Sequence, residues 1–177
     1  MTPRTLNLGS GRRYLADAVN LDVTTDTSPD VVHNLNIRPW PFADNAFDTV
    51  IATDVIEHLD DTAATMAELH RVCRHGGRIE LVVPHFSSDG AFTDPTHRRY
   101  FGAFTFDYFC DGHPNNFYSR ARFALQSRLI VFRPTLLNKL VARVANRFPQ
   151  AWEQRWAWVF PAWFVAIALT VQKPSSA

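Results

Sequence analysis

Apolar residues fall in short runs over the first half of the chain, separated by turn residues. Thr5–Leu8, Val19–Asp22, Val31–His33, Phe47–Thr53 and Arg78–Val83 each have the length and the aliphatic or β-branched content of a strand. Between the last two, Met66, Leu69, Val72 and Cys73 recur at helical spacing. Asp60, Asp61 or Thr62 can cap the start of this helix, and Gly76-Gly77 is expected to end it. Strand, helix and strand in that order predict a parallel α/β sheet. After residue 84 the period is lost in a segment rich in aromatics, His, Asp and turn residues. Strand character returns at Phe123–Phe132 and again at 163–171. Leu136–Phe148 reads as an amphipathic helix with Leu136, Leu137, Leu140, Val141 and Val144 on one side.

The expected fold is a Rossmann-like α/β three-layer sandwich with a mostly parallel sheet of about seven strands. One domain over residues 1–177 accommodates it, with no repeat or low-complexity break. Within it, 1–84 would form the ligand-binding half and 85–120 a segment that shapes a second site. Residues 121–177 would supply the last two strands, with an aromatic helical stretch inserted between them.

Composition narrows the class. At 46% hydrophobic and 20% charged residues the chain is globular. Two cysteines, Cys73 and Cys110, form no metal-ligand spacing, and the start has no charged-then-apolar signal pattern. A cytoplasmic location is therefore expected. WAWVFPAWFVAIALTV runs 16 residues without a charge, but Pro161 interrupts it and its second half suits a buried strand better than a membrane span. Net charge is only +1, yet residues 1–97 hold 14 acids against 7 Lys/Arg, while 98–155 hold 3 against 10. With no basic helix standing out, nucleic acid is not an expected partner. The basic second half instead suits an anionic acceptor or a peripheral membrane contact through its aromatic and basic C-terminal segment.

The chemistry-bearing residues sit where the predicted strands end, the usual ligand position in open α/β sheets. Gly9-Ser10-Gly11 follows the first strand, and glycines there let backbone approach a ligand. Asp22 closes the second strand, where a carboxylate can accept from ribose hydroxyls. Together they favour an adenosine-type ligand. Arg12 and Arg13 follow where small residues would be expected and the third glycine of a dinucleotide fingerprint is missing, which disfavours a nicotinamide-dependent oxidoreductase.

LNLGSG…VNLD, HNLNIRPWPFADNAFDTVIATDVIEHL and ELHRVCRHGGRIELVVP resemble class I S-adenosylmethionine-dependent methyltransferases, nearest to the broad group that includes quinone-biosynthesis enzymes. The likeness covers about residues 5–84. It implies an antiparallel C-terminal strand, S-adenosylmethionine as cofactor and a set of site residues. Gly9, Ser10 and Gly11 would lie against the amino-acid part of the cofactor, Asp22 would hold the ribose and Val23 would pack on the adenine. Asn34 and Leu35 would stand at the adenine edge, and Thr53 would border the methionine portion. Asn7 departs from the acid common at its position, and the first crossover is short. Asp54, Glu57 and His58 resemble a metal-binding set of some relatives and would share one helical face, but no metal is expected, because Glu-His also occurs there as a structural pair.

Methyl transfer needs an aligned nucleophile, and a hydroxyl acceptor benefits from a base. His97 and His85 are the candidate bases, with Asp94 orienting or assisting. DPTHRRYF and TFDYF resemble bacterial methyltransferases of glycan or envelope biosynthesis. The expected activity is therefore methyl transfer to an oxygen of a small-molecule, glycan-linked or lipid-linked acceptor. The alternatives are a non-catalytic cofactor-binding or interaction protein and, further off, the oxidoreductase. The tryptophans of RFPQAWEQRWAWVFPAWF are expected mainly to fill a core between the last two strands.

Overall fold

A computed structural model describes residues 4–174. Seven strands form one sheet: β1 (Thr5–Leu8), β2 (Ala18–Asp22), β3 (Val31–Val32), β4 (Phe47–Thr53), β5 (Cys73–Pro84), β6 (Arg122–Val131) and β7 (Phe164–Gln172). Their order across the sheet is β3-β2-β1-β4-β5-β7-β6. β1 to β5 pair in parallel, and β7 runs antiparallel to both of its neighbours. The Rossmann-like sheet and its antiparallel C-terminal strand are thus as expected, with β7 lying between β5 and β6.

The parallel strands bury one aliphatic set after another. Leu6, Leu8, Leu21, Val50, Ala52, Ile79, Leu81 and Val83 are all essentially inaccessible. α1 (Thr62–Val72) is the crossover from β4 to β5. Asp61 is its N-cap, with the side chain accepting from the Ala64 N–H at 2.9 Å, and Met66, Leu69 and Val72 form its buried stripe. The helix stops at Val72, before the two glycines. Cys73 already pairs with Phe47, and the ladder is irregular between there and the Thr49–Arg78 pair. Gly76 has φ +71°, and a Cβ on Gly77 would meet Cys73 Sγ at 2.5 Å. The glycines therefore serve a bulge at the start of β5 rather than a helix end.

The first crossover contains no helix. A buried amide network fills that place: Asn7 Nδ2 donates to Arg13 O at 2.8 Å and to Asn20 Oδ1 at 2.9 Å. Asn20 in turn bonds Leu15 through both backbone groups and reaches Asp30. Asn7 thus holds the loop in shape, which gives this departure from the family pattern a structural purpose.

A second, smaller core joins Ile130 and Phe132 to Ala145 and Trp152. It lies under α3 (Leu136–Arg147) and α4 (Pro149–Arg155). α3 turns Ala145 inward, with Val141 half-buried against the same core, and leaves Leu136, Leu137, Leu140 and Val144 of its apolar side exposed. Trp152 is buried, whereas Trp156, Trp158 and Trp163 remain open to solvent, so the tryptophans are not mainly core-filling. A four-residue helix, α2 (Gly90–Thr93), follows β5.

Candidate functional site

Two cavities open at the carboxyl ends of the parallel strands. The inner one, about 340 Å³, is lined by Gly9, Asp22, Val23, Asn34 and Leu35, joined by His33, Asn36, Asp54, Val55 and His58. Ser10, Gly11 and Thr53 lie next to this lining without forming it. Gly9 has φ +56°, and a Cβ there would fall 2.4 Å from Val55 Cγ2. Both the backbone conformation and the space demand glycine. Asp22 is almost buried. Its Oδ2 accepts from Gly11 N–H at 2.8 Å, and its Oδ1 accepts from Thr24 N–H at 3.1 Å. Each oxygen keeps capacity for a further donor, as a pair of ribose hydroxyls requires. Leu35 is fixed from behind, its carbonyl accepting from Trp40 Nε1 at 3.0 Å.

The outer cavity, about 540 Å³, is bounded by Glu57, Ser88, Asp94, His97, Trp163 and Phe164 among others. Asp54 and His58 line both cavities and form the wall between them. Asp54 has φ +56°, a conformation that is strained for an aspartate, although its N–H is held by Val82 O at 3.0 Å. Its Oδ2 pairs with Arg13 at 2.8 Å. Only a single 3-10 turn, Ile56–His58, follows, so Asp54 does not share a helical face with Glu57 and His58.

Hydrogen bonds assign the imidazole tautomers. His97 Nδ1 must donate to the Ala91 carbonyl, 3.1 Å away, which leaves Nε2 as an acceptor. That nitrogen lies 4.0 Å from Glu57 Oε1 and 3.9 Å from Asp94 Oδ2. The Thr96 hydroxyl donates to Asp94 at 2.7 Å and therefore accepts from His58 Nδ1 at 2.9 Å. The bonds from the Thr96 hydroxyl and N–H hold the Asp94 carboxyl below its usual range. Burial, followed by the neighbouring His97, lowers the His58 pKa. Glu57 is 1% exposed, and neither carboxylate oxygen has a partner among the described residues. Burial raises its pKa to about 7, with Asp54 and Asp94 adding to the effect.

Glu57, His58 and His97 each offer a ligand atom within 4.8 Å of the other two. This trio differs from the sequence-derived set, since Asp54 is engaged by Arg13. Cation–ligand distances near 2.0–2.2 Å would require the three to draw closer together.

His85 lies apart from both cavities. It is fully buried, accepts at Nδ1 from Ser87 N–H at 3.1 Å and faces Glu153 Oε1 through Nε2 at 3.0 Å. Phe86 and Trp152 pack against its ring. Glu153 also accepts from Ala103 N–H, so His85 ties the end of β5 to α4. Desolvation opposes ionisation of Glu153, but these two bonds hold its pKa below the normal value.

Sequence reasoning had no access to the Arg13–Asp54 bridge or to the part Val55 plays in the inner cavity, whereas His33 closes one of the expected strand runs. The DVIEH run was the available signal, but its helical spacing does not hold in three dimensions.

The sheet order defines a Rossmann-like α/β domain, and the cavity at the glycine turn, with a carboxylate closing β2, has the size and chemistry to suit an adenosine-type ligand. Residues 8–81 match the family model described as a methyltransferase domain. That segment is similar to methyltransferase domains, and the chain shares the fold of solved S-adenosylmethionine-dependent methyltransferases. A phosphatidylethanolamine N-methyltransferase of Cereibacter sphaeroides is 33% identical over 58 residues, which cover 33% of this chain and 28% of that protein. This chain thus aligns with less than a third of the relative's length. An S-adenosylmethionine-dependent methyltransferase from Archaeoglobus fulgidus superposes with a TM-score of 0.65 at 17% identity, over 95% of this chain and 86% of that one. YcgJ from Bacillus subtilis superposes with a TM-score of 0.62 at 14% identity, covering 98% and 93%.

S-adenosylmethionine, the cofactor of the methyltransferases that the chain is similar to, fits the residues present. Gly9 leaves room that a side chain would fill, Asp22 has acceptor capacity to spare, and Asp54 Oδ1 is a buried oxygen without a partner among the described residues. Such an oxygen suits a cationic ligand group.

Proposed function

We propose that the protein methylates an oxygen of a small-molecule, glycan-linked or lipid-linked acceptor, using S-adenosylmethionine held in the inner cavity. The carrying observation is the wall that Asp54 and His58 share between the two cavities. A cofactor in one cavity and an acceptor in the other would lie side by side across it. Asp22 would hold the ribose, Val23, Asn34 and Leu35 the adenine region, and Gly9, Ser10, Gly11 and Thr53 the amino-acid end. When bound, the cofactor supplies an electrophilic methyl group on a sulfonium.

The protein's share is alignment and proton handling. In this reading His97 accepts the acceptor hydroxyl's proton at Nε2, the nitrogen that its Ala91 bond leaves free. Glu57, when ionised, stabilises the imidazolium, and Asp94 adds a second carboxylate on the same side. His85 fits a positioning role, since both of its nitrogens are engaged away from the cavity. Trp163 and Phe164 on the cavity wall supply apolar faces suited to stacking on a sugar ring.

Calorimetry with S-adenosylmethionine, S-adenosylhomocysteine and NAD tests the cofactor half of the reading, with binding expected for the first two alone. Labelled methyl donor offered with glycan, lipid and small-molecule fractions tests the acceptor half. Stable O-methyl label in none of these fractions would refute it.

A further inference from the structure

The apolar stripe of α3 faces away from the protein. Leu136, Leu140 and Val144 follow one another at four-residue spacing, with Leu137 alongside, and are 85%, 60%, 51% and 61% exposed respectively. The opposite side, centred on Ala145, packs on Ile130 and Trp152. Lys139, Arg143 and Arg147 form a second row at the same spacing, next to the apolar one. None of the three takes part in an ion pair among the described residues.

The surroundings have the same character. Residues 112–152 contain seven Lys/Arg and no Asp or Glu. Trp158, also exposed, lines a hollow of about 520 Å³ together with Asn138 of α3 and Arg133. The one carboxylate on that hollow, Asp89, is bonded through both oxygens to Arg133. Ser88 lies on the wall of this hollow and on that of the outer cavity, so the two adjoin.

A stripe of leucines bordered by a row of cations, with a tryptophan at one end, is the pattern of a helix lying in the plane of a lipid–water interface. The apolar row would enter the acyl boundary while the cations meet headgroup phosphates. We infer that α3 docks this protein on an anionic lipid surface, with Leu136, Leu137, Leu140 and Val144 inserted and Lys139, Arg143 and Arg147 on the phosphates. The docking stands on the helix alone. The proposed function enters only in that the docked face would lie beside the outer cavity, where a lipid-linked acceptor could be presented.

Co-sedimentation of the full chain tests this, using vesicles of phosphatidylcholine alone and of phosphatidylcholine with phosphatidylglycerol. Partition onto the mixed vesicles should exceed that onto the neutral ones by about tenfold or more. Leu136→Glu/Leu140→Glu and Lys139→Gln/Arg143→Gln/Arg147→Gln should each lower that partition by about tenfold or more. The melting temperature and S-adenosylmethionine affinity should stay at the wild-type level, because these side chains are exposed and remote from the inner cavity. Equal partition onto both vesicle types, or binding unaffected by either variant, would overturn the inference. A lipid-free dimer that Leu140→Glu disperses in analytical ultracentrifugation would overturn it in favour of a second copy as the occupant. Since cofactor affinity is read separately, failure of the docking and failure of the methyltransferase reading are distinguishable.

Discussion

His97 Nε2 faces the buried carboxylate of Glu57 across 4.0 Å. The nitrogen is an acceptor by virtue of the Ala91 bond, and the carboxylate has no donor among the described residues. Two acceptors facing each other across a cavity wall make a place that receives a proton. Because burial holds the Glu57 pKa at about 7, its charge switches on within the working range of most enzymes. Turnover should therefore rise with pH through about 7 as Glu57 ionises and can support an imidazolium at His97. Glu57→Gln should lower turnover and remove that step from the pH–rate profile. An unchanged profile in the variant would separate Glu57 from the chemistry.

The same group makes a stability prediction. Its folded pKa of about 7 lies above the ordinary 4.5, so the folded state holds the proton more tightly. This contribution is fully present below about pH 4.5 and is lost as pH rises through about 7. The raised pKa corresponds to on the order of 3 kcal/mol. Chemical denaturation at pH 5 and pH 8 should show a fall in the wild type that Glu57→Gln flattens.

Gly9 gives a test of the inner cavity. Gly9→Ala places a methyl group against Val55 in a backbone conformation that alanine resists. A loss of about 1–3 kcal/mol in stability is expected, together with weaker S-adenosylmethionine binding. Val55→Ala added to it should restore part of the binding by vacating the clash, without removing the backbone strain. Calorimetry and thermal melts on both variants separate the two effects.

Asp22→Ala removes the acceptor for Gly11 and Thr24 N–H as well as the proposed ribose contact. Cofactor affinity should fall by about 1–3 kcal/mol, roughly fivefold to 150-fold. Asp22→Asn, which keeps one carbonyl acceptor, should fall between the variant and the wild type. Equal affinity in all three proteins would dissociate Asp22 from cofactor binding.

Residues 5–84 were legible because buried aliphatic positions recur in short runs between turn residues, as with Leu6 and Leu8 in β1 and Ile79, Leu81 and Val83 in β5. Asp22 and Gly9 followed from their place at strand ends. The α3 stripe was legible as periodicity, but periodicity reports that one side of a helix is apolar and says nothing about what covers it. Leu136 and Ala145 are both apolar, and only the packing of Ala145 on Ile130 and Trp152 distinguishes inside from outside. DVIEH misled for a different reason: the αL conformation of Asp54 breaks the helical spacing before it begins. His85 and His97 were alike in sequence, and only their partners tell them apart.

Those partners yield opposite expectations for the two histidines. His85 links Ser87 to Glu153 in a fully buried setting, and Glu153 also accepts from Ala103 N–H. Removing the ring leaves a largely buried carboxylate short of a donor and opens space beside Trp152. His85→Ala should therefore cost about 2–4 kcal/mol of stability. At a temperature where the variant remains folded, activity should be retained in good part. His97 is tied to the fold by a single bond to Ala91, and its other nitrogen points at the outer cavity. His97→Ala should change stability by less than about 1.5 kcal/mol. If the ring is the base, turnover should fall by about 100-fold or more, while S-adenosylmethionine affinity stays at the wild-type level. Melting curves and single-turnover rates for the two variants decide the matter. A catalytically silent His97→Ala beside an inactive but well-folded His85→Ala would reverse the assignment.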